Sequence, residues 1–255
     1  MKIATWNVNS LRVRLSHLKD WLAANPVDAI VLQETKLPDP DFPKDDLEAL
    51  GLHVAFNGQR TYNGVAILAP SALADVVPGM PGFEDDHKRV LAATIGDVRI
   101  IDVYVPNGQT VGSEKYEYKL RWLEALRTYL DAEMRRHPRL VVLGDFNIAP
   151  EDRDVHDPKA WEGSVHVSPP ERAALQTLQA LGLKDCFRLF EQPEKLYSWW
   201  DYRMMAFRRN AGLRIDLILA TADLAAKCEE CHIDKAPRKL ERPSDHAPVV
   251  ATFDI

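Results

Sequence analysis

The chain alternates between short apolar runs and polar segments, and the period of its apolar positions predicts which runs form strands and which form helices. Runs of about four to eight residues rich in Val, Ile and Leu, bounded by turn-forming residues, are typical of buried strands. On this basis we predict strands over residues 3–6, 29–33, 53–57, 64–69, 90–95, 98–105, 140–143, 197–202, 214–220, 228–233 and 249–253. Strands are therefore expected along the whole length of the chain.

Three longer stretches show the helical period. Residues 11–24 place their leucines on one face, and residues 114–136 carry an apolar stripe until Pro138 ends the helix. Residues 170–181 begin with proline and are followed by Gly182, the usual asymmetry of helix ends. Strand-rich blocks separated by a few helices fit an α/β fold in which two β-sheets pack face to face with helices on the outside.

Polar residues stand at the ends of five of these apolar runs, or within them. A buried strand normally avoids carboxylates, because an unpaired buried charge is costly, so repeated acids at strand edges indicate a shared site. Carboxylate and amide oxygens with a single histidine suit a divalent cation such as Mg²⁺ or Mn²⁺ that acts on phosphate. The residues concerned are Asn7, Glu34, Asp145, Asn147, Asp216, Asp245 and His246.

The composition is that of an ordinary globular protein, with 46% hydrophobic and 27% charged residues. No apolar run approaches the roughly 20 residues of a membrane span, and the chain opens directly on a strand pattern rather than on a signal peptide. We therefore expect a cytoplasmic protein that does not engage a membrane. The length of 255 residues fits one large α/β domain over residues 1–255.

Three cysteines, an odd number, provide no disulfide framework, which agrees with a reducing compartment. Cys228 and Cys231 have the spacing of half a zinc site, but no second Cys or His pair at a matching spacing completes it. We interpret these two thiols as incidental.

The net charge of −6 and the pI of about 5.8 argue at first against a nucleic-acid ligand, since phosphate binding rewards Lys and Arg. Net charge does not describe the local field, however, because many of the acids belong to the expected metal site and to acidic loops. Arg208 and Arg209 follow an aromatic-rich segment and are predicted to contact DNA. Arg135 and Arg136 lie late in a predicted helix, where cations suit the helix dipole, and a solvated face is the better interpretation there.

Eight short motifs surround the candidate residues: TWNVNSLR from Thr5, LQETK from Leu32, YNGVAI from Tyr62, VYVPNG from Val103, GDFNIAP from Gly144, WWDYR from Trp199, GLRID from Gly212 and SDHAP from Ser244. In this content and order the chain resembles the exonuclease III family of DNA-repair phosphodiesterases. The motifs run from residue 5 to residue 248, so the resemblance covers nearly the whole chain.

The resemblance implies a four-layer α/β sandwich and a Mg²⁺-dependent nuclease, with Mn²⁺ as a substitute. Such an enzyme is expected to cut the DNA backbone 5′ to abasic sites, to clear blocked 3′ ends and to remove nucleotides in the 3′→5′ direction. Its expected partner is double-stranded DNA with abasic sites or damaged 3′ ends, and the chain is expected to act as a monomer.

Roles for the polar residues follow from the chemistry of phosphodiester hydrolysis together with this resemblance. Glu34, with Asn7, is the candidate holder of the metal, and Asp245 is expected to add a second carboxylate or a water-mediated contact. Asp145 is the candidate general base or water-orienting group, with Asn147 two residues on. Asp216 and His246 are predicted to form a pair in which the acid favours the imidazolium, which binds phosphate; His246 as the base remains an alternative.

Further residues are expected to contact the substrate. The resemblance makes Tyr104 and Asn107 contacts of the phosphate or leaving group, and makes Trp199 a wall of the pocket for an extrahelical abasic sugar or terminal nucleotide, with Leu213 beside it. Asn9, in the first motif, is expected to bind DNA. One of the two adjacent tryptophans should pack in the core, because alternate strand residues face opposite ways. The other histidines are predicted to be surface or packing residues: His17, His53, His87, His137, His156, His166 and His232.

Two other functions share parts of this pattern. A phosphoesterase acting on inositol phosphates or sphingomyelin would use the same catalytic skeleton, but the compact length and the WWDYR to GLRID segment count against it. A catalytically silent DNA-binding module is disfavoured because every expected catalytic position is occupied.

Overall fold

Each of the two β-sheets has one pair of parallel strands at its centre, and every other pair of neighbouring strands is antiparallel. The computed structural model describes residues 1–255. Its strands are β1 (Lys2–Asn7), β2 (Ala29–Gln33), β3 (His53–Asn57), β4 (Val65–Ala69), β5 (Ala74–Pro78), β6 (Val90–Ile95), β7 (Val98–Tyr104), β8 (Leu140–Asp145), β9 (Leu183–Asp185), β10 (Asp216–Thr221), β11 (Cys228–Ile233) and β12 (Val249–Phe253). The first sheet has the order β11-β12-β1-β2-β4-β3, and the second has the order β5-β6-β7-β8-β10-β9.

Most of the helices cover the outer faces of these sheets, whereas the short last helix packs into the cluster between them. They are α1 (Leu11–Ala24), α2 (Lys44–Glu48), α3 (Glu114–Arg136), α4 (Pro158–Trp161), α5 (Pro169–Ala180) and α6 (Ala222–Ala225). The longest, α3, begins where the side chain of Ser113 accepts a hydrogen bond from the Tyr116 amide. None of the helices is both long enough and apolar enough to cross a bilayer.

Three hydrophobic clusters hold the layers together, because alternate residues of each strand face opposite sides of a sheet. Leu143 of β8 packs between the two sheets, whereas Val142 beside it packs under α3 with Trp122. On the other outer face, Trp21 of α1 packs on Ile30 of β2. The result is a helix, sheet, sheet, helix arrangement, which confirms the predicted four-layer α/β sandwich.

The topology brings several strand ends to one edge of the sandwich. The carboxyl ends of the parallel pairs β1–β2 and β7–β8 point the same way within their sheets, and their antiparallel neighbours β12 and β10 begin there. A hydrogen bond between Asn7 and Asp145 joins the two sheets at this edge. The predicted polar clusters therefore meet in space, although they are far apart in sequence.

Most predicted elements are confirmed, including the helices over 11–24 and 114–136 and the strands over 29–33 and 90–95. The predicted strand over 197–202 is wrong. Trp199 forms only single bridges, to Leu213 and to His246, and the segment packs against loops instead of joining a sheet. The edge strand β5 was missed because its residues are mostly exposed and its register with β6 is irregular, so it lacks the signature of a buried strand.

Candidate active site

Two carboxylates and one imidazole converge at the shared edge of the sheets. Single ligand atoms of Glu34, Asp145 and His246 all lie within 4.8 Å of one another. Glu34 follows β2, Asp145 ends β8 and His246 lies just before β12, so three strands from both sheets deliver the cluster. Groups of this composition can bind a divalent cation or a phosphate, depending on their protonation.

Asn7 connects the two carboxylates. Its amide nitrogen donates to Oε1 of Glu34 at 2.9 Å and to Oδ2 of Asp145 at 2.9 Å, and its oxygen accepts from the backbone amide of Asn9. Glu34 itself has a φ of 51°, a left-handed conformation that costs energy for a residue with a side chain and is concentrated at functional sites. The expectation did not include Lys36, whose Nζ lies 2.9 Å from Oε2 of Glu34.

The turn after β8 fixes Asp145 and Asn147 relative to each other. The Asn147 amide donates to Oδ1 of Asp145 at 2.9 Å, and the Asn147 side-chain nitrogen donates to Oδ2 of Asp145 at 3.3 Å and to the Val105 carbonyl at 3.0 Å. Asn147 has a φ of 50°, a region that asparagine tolerates better than most residues. Gly144 is required before them, because a Cβ there would lie 1.9 Å from the Val103 carbonyl oxygen.

His246 and Asp216 form the predicted pair. Nδ1 of His246 lies 2.9 Å from Oδ2 of Asp216, and Nε2 lies 3.7 Å from Oδ2 of Asp145. Asp216 is the cross-strand partner of Asp145 in the β8–β10 ladder. Ser198 fixes the Asp216 carboxylate by donating to Oδ2 at 2.6 Å and accepting from the Asp216 amide. The Asp216 side chain therefore orients the ring with Nε2 toward Asp145.

The surroundings of the cluster raise the pKa of both Asp145 and His246, with different consequences for their charge. Burial, with smaller contributions from Asp216 and Glu34, raises the pKa of Asp145 to about 7, although His246 opposes the rise. For His246 burial favours the neutral ring, but Asp216 and Asp145 outweigh it and raise its pKa to about 10. At neutral pH the ring is positively charged, and Asp145 lies close to its midpoint of ionisation.

Two of the expected metal ligands turn their oxygen atoms elsewhere. The Asp245 carboxylate accepts hydrogen bonds from Asn9 Nδ2 at 2.9 Å and from the Trp199 indole at 3.0 Å, and it is not part of the close group. Asn7 presents nitrogen rather than oxygen to the two carboxylates. Asp145, expected only as a base, does belong to the group. The ligand roles of Asn7, Glu34 and Asp245 stay predictions.

Tyr104 and Asn107 line a cavity that opens beside Glu34 and has a volume of about 460 Å³. The guanidinium of Arg89 lies 4.7 Å above the Tyr104 ring. Burial and the neighbouring Glu34 raise the pKa of Tyr104 well above its usual value, so its hydroxyl stays a hydrogen-bond donor. Asn107 is exposed and contacts Asn147 at 3.4 Å.

Trp199 and Trp200 divide as expected, with Trp200 fully buried and Trp199 partly exposed. Leu213 lies beside Trp199 and has no exposed surface, and Trp199 packs against the small cluster that contains it. Its role as a substrate contact stays a prediction. The space over Trp199 is already shared with His166 and Trp161, whose ring centroids each lie 6.4 Å from that of Trp199.

His166 is therefore a site residue that the sequence interpretation had assigned to surface or packing positions. Its Nδ1 donates to the Asn147 carbonyl at 2.7 Å, and its backbone φ of 77° is left-handed. Burial, with Lys119 adding to it, lowers the pKa of His166 to about 3, so the ring is neutral.

Lys119 is a second residue that was missed. Its buried Nζ donates to the carbonyls of Asn107 at 3.1 Å and Asn147 at 2.7 Å, and it forms an ion pair with buried Glu171. One lysine thus holds the two turns that carry the site asparagines. The available signal was a lysine on the apolar face of the predicted helix 114–136, where a charge is rarely found without a partner.

A loop beside the cluster carries the predicted basic contacts. Arg208 and Arg209 are exposed and form no ion pair, and Met204 and Met205 next to them are 77% and 65% exposed. Asn9 links this loop to the site, because its side chain bonds both Tyr202 and Asp245. The loop therefore offers free cations and apolar side chains near the cluster.

Comparison with known proteins agrees with this arrangement. The chain is 36% identical to the exodeoxyribonuclease III of Haemophilus influenzae, over 99% of this chain and 100% of that protein. It superposes with a TM-score of 0.98 and 48% identity on a 3′ phosphatase, NExo, from Neisseria bound to a product DNA hairpin, and with a TM-score of 0.96 and 42% identity on an AP endonuclease from Archaeoglobus fulgidus, both over the full length of each chain. Residues 4–246 match the model of the endonuclease/exonuclease/phosphatase family, and this range includes every strand end that contributes to the site. The chain therefore belongs to the endonuclease/exonuclease/phosphatase family.

Proposed function

We propose that the protein is a Mg²⁺-dependent DNA-repair phosphodiesterase that acts on duplex DNA. It removes nucleotides and blocking groups from 3′ ends, and it cuts the backbone 5′ to abasic sites more slowly. The observation that carries the proposal is the cluster of Glu34, Asp145 and His246 at the joint edge of two sheets. All of its residues come from one chain, so a monomer suffices for the reaction.

The cluster fits a divalent cation. Glu34 and Asp145 offer carboxylate oxygens on facing strands, and Mg²⁺ prefers such hard ligands together with water and phosphate oxygens. Members of this family depend on a metal, and the choice of Mg²⁺ over other divalent cations is our proposal. A bound cation would neutralise charge on the phosphate and favour the ionised form of Asp145.

The protein residues supply proton transfer and orientation. Ionised Asp145, the form that a bound cation would favour, accepts a proton from the attacking water. Asn147 is fixed beside it by two hydrogen bonds and directs the water. Tyr104 keeps its proton and donates to the departing oxygen or to the phosphate.

His246 serves as a phosphate-binding cation in this proposal. With a pKa of about 10 the ring is charged at neutral pH, and Asp216 accepts from Nδ1, so the Nε2 proton is free to bind a phosphate oxygen. A base has to be neutral, so the same pKa disfavours the alternative in which His246 activates the water.

The ranking of 3′-end removal above abasic incision rests on His166. An extrahelical sugar would have to enter the space over Trp199, but His166 is buried there and is held by its bond to Asn147. A terminal nucleotide or a 3′ phosphate needs no such pocket, because it can reach the cluster from the open cavity beside Tyr104. Related proteins include both kinds of enzyme, a 3′ phosphatase and an AP endonuclease.

The duplex would lie across the exposed loop. Arg208 and Arg209 are free to pair with phosphates, and Met204 and Met205 offer apolar surface to a groove. Such contacts locate the DNA without reading its sequence, which suits a repair enzyme.

One assay tests the proposal. Duplexes with a recessed 3′ end, a 3′ phosphate or a single abasic analogue are incubated with Mg²⁺ and, separately, with chelator. We expect metal-dependent cleavage of all three, slowest at the abasic site. Absence of cleavage of every duplex, with turnover of inositol phosphates or sphingomyelin, would contradict the proposal.

A variant tests the ranking. His166→Gly removes the ring at a backbone position that glycine adopts without strain, so abasic incision should rise about tenfold or more relative to 3′ phosphate removal. His156→Gly is the control, since the ring of that exposed histidine contacts the Gly212 carbonyl and Trp161 but not Trp199. An unchanged ratio in His166→Gly would remove His166 from substrate selection.

A further inference from the structure

The loop that carries the predicted DNA contacts is held to the rest of the protein, apart from its two chain ends, by side chains alone. We call residues 202–211 the methionine loop, because Met204 and Met205 in it are largely exposed. Every backbone-to-backbone hydrogen bond of these residues stays within the loop. The position of the loop beside the active site therefore depends on a few side-chain contacts.

Arg238 anchors the methionine loop from below. Its guanidinium carbon lies 4.8 Å from the ring centroid of Phe207 and 5.8 Å from that of Tyr202, both in the loop. The ring of Trp200, which precedes the loop, lies 5.7 Å away. Arg238 is only 6% exposed, and a guanidinium over aromatic faces is stabilised more strongly when it is removed from water. The loop and the tryptophan before it thus pack on one cation.

The same guanidinium holds the turn that leads to the active-site histidine. Nη1 of Arg238 donates a hydrogen bond to the Ser244 carbonyl. The Ser244 hydroxyl donates to the Asn7 carbonyl at 2.6 Å and accepts from the His246 amide at 3.2 Å. Ser244 therefore connects the backbones of two site residues, and Arg238 holds Ser244.

Arg14 of α1 holds the two carbonyl groups before Ser244. Its Nε donates to the Arg242 carbonyl at 3.0 Å, and its Nη2 donates to the Pro243 carbonyl at 2.9 Å. Arg14 reaches the methionine loop only at the Tyr202 hydroxyl, at 3.2 Å. Residues 242–244 lie outside both sheets, so side chains replace the ladder that would fix a strand.

We propose that Arg238 is a positioning residue for DNA cleavage, which fixes the methionine loop relative to the turn that carries His246. The inference rests on the proposed function, since it takes Arg208 and Arg209 to hold the duplex and His246 to bind the phosphate that is cut. A substrate misplaced by about 1 Å can react about 100-fold more slowly, so the spacing between these two elements affects the rate.

Two substitutions separate the link to the turn from the packing of the loop. Arg238→Met keeps a long apolar side chain among the rings but cannot donate to the Ser244 carbonyl, so kcat should fall about tenfold with an unchanged KM for duplex DNA. Arg238→Ala also empties the space between the rings, so KM should rise as well. Lys239→Met, a change in the exposed neighbour, is the matched control and should keep both constants. A kcat of Arg238→Met within about twofold of wild type would overturn the proposal.

Limited proteolysis tests the anchoring without any substrate. Trypsin cuts after arginine, and three exposed arginines lie in the methionine loop: Arg203, Arg208 and Arg209. In Arg238→Ala these sites should be cut about fivefold faster than in wild type or Lys239→Met, because the loop opens more often. Cleavage of Arg238→Ala at the wild-type rate would contradict the anchoring. If Arg238→Ala does not fold, the kcat of Arg238→Met still decides the proposal.

The wild-type protein separates this inference from the proposed function. Failure of wild type to cut any duplex would overturn the proposed function and the positioning role with it. Cleavage by wild type together with an unchanged kcat in Arg238→Met would overturn the positioning role alone. Cleavage by wild type, a lowered kcat in Arg238→Met and a loop that trypsin cuts faster in Arg238→Ala would support both.

Discussion

Two buried charge clusters lie close together in this molecule and differ in their balance of charge. Beneath the segment that carries Trp199, Arg214 binds Asp154 through Nε at 2.6 Å and Asp185 through Nη2 at 2.8 Å, and Arg188 also pairs with Asp154. Two guanidinium groups thus face two carboxylates. At the active site, by contrast, the carboxylates of Glu34, Asp145 and Asp216 face only two cations, the His246 imidazole and the Lys36 ammonium that pairs with Glu34.

Burial has different consequences in the two clusters: it accompanies a fixed charge at Arg214 and a shifted pKa at Asp145. Burial opposes the charged form of Arg214, but Asp185 and Asp154 outweigh it and raise its pKa, so no proton exchanges near neutral pH. At the active site burial, with smaller contributions from Asp216 and Glu34, raises the pKa of Asp145 to about 7. A buried charge without an opposite charge nearby is costly. It is retained at sites where a bound cation or substrate supplies the opposite charge.

The largest expected effect is on the reaction rate and comes from removing the Asp145 carboxylate at the active site. Asp145→Asn should lower the rate on every DNA substrate by about 10³-fold or more, because the amide cannot accept the proton of water. Asp152→Asn, a change in an exposed acid, is the control and should keep its rate. A rate in Asp145→Asn within tenfold of wild type would exclude Asp145 as the base.

The same variant should be more stable than wild type when metal-free at neutral pH. The folded pKa of Asp145, about 7, lies above its unfolded value of 3.8, so its contribution to stability is fully present below pH 4 and is lost as the pH rises to 7. Asn has no charge to lose, so the free energy of unfolding should exceed that of wild type by about 1–4 kcal/mol at pH 8 and by much less at pH 4.5. Denaturant titrations at both pH values measure this difference. Equal differences would mean that Asp145 is already ionised at low pH.

In the cluster of Arg214, Arg188, Asp154 and Asp185, removal of one carboxylate should lower the stability of the protein instead of raising it. Asp154→Asn leaves the buried Arg214 and the partly buried Arg188 with one carboxylate between them, and should lower the free energy of unfolding by about 3–5 kcal/mol. Activity per folded molecule should change little. Asp97→Asn breaks an exposed pair with Arg139 and should cost less than about 1 kcal/mol. If Asp154→Asn were as mild as this control, charge balance would not explain the difference between the clusters.

Lys119 combines features of both clusters. It forms a buried ion pair with Glu171, and it also holds the turns that carry two active-site asparagines. Lys119→Met should lower the free energy of unfolding by about 2–4 kcal/mol, and it should also lower the rate about tenfold by releasing the turns of Asn107 and Asn147. Arg121→Met, on the exposed face of the same helix, is the control. A loss of stability without any loss of rate per folded molecule would assign Lys119 to the scaffold alone.

The last prediction separates the roles of two neighbouring tryptophans. Trp199 bonds Asp245 and belongs with the active site, whereas Trp200 is fully buried with the Arg238 guanidinium 5.7 Å from its ring. Trp199→Ala should cost about 1–3 kcal/mol of contact with an extrahelical abasic sugar, or about 5- to 150-fold in the rate of abasic incision. Trp200→Ala should instead cost about 3–5 kcal/mol of folding stability. Rates per folded molecule and melting temperatures distinguish the two, and a large melting drop in Trp199→Ala with unchanged rates would reverse the assignment.

Local sequence determined the elements whose pattern does not depend on partners. The helix over 114–136 and the strand over 29–33 follow from periodicity, because the side chains that define them lie within a few turns or residues of one another. Periodicity gave a wrong result at 197–202, because the aromatic and apolar side chains there pack onto loops and not within a sheet. It also missed β5, because an edge strand with mostly exposed residues has no buried face to produce the pattern.

Sequence also indicated the polar residues of the site, because an acid at the end of a buried strand is unusual in any single segment. It did not reveal the contacts of His166 and Lys119. These residues acquire their roles only from groups on distant segments, which are the Asn147 carbonyl for both and the Glu171 carboxylate for Lys119. Hydrogen bonds and charge interactions fall off within a few ångströms, so only the tertiary packing decides which of these groups meet.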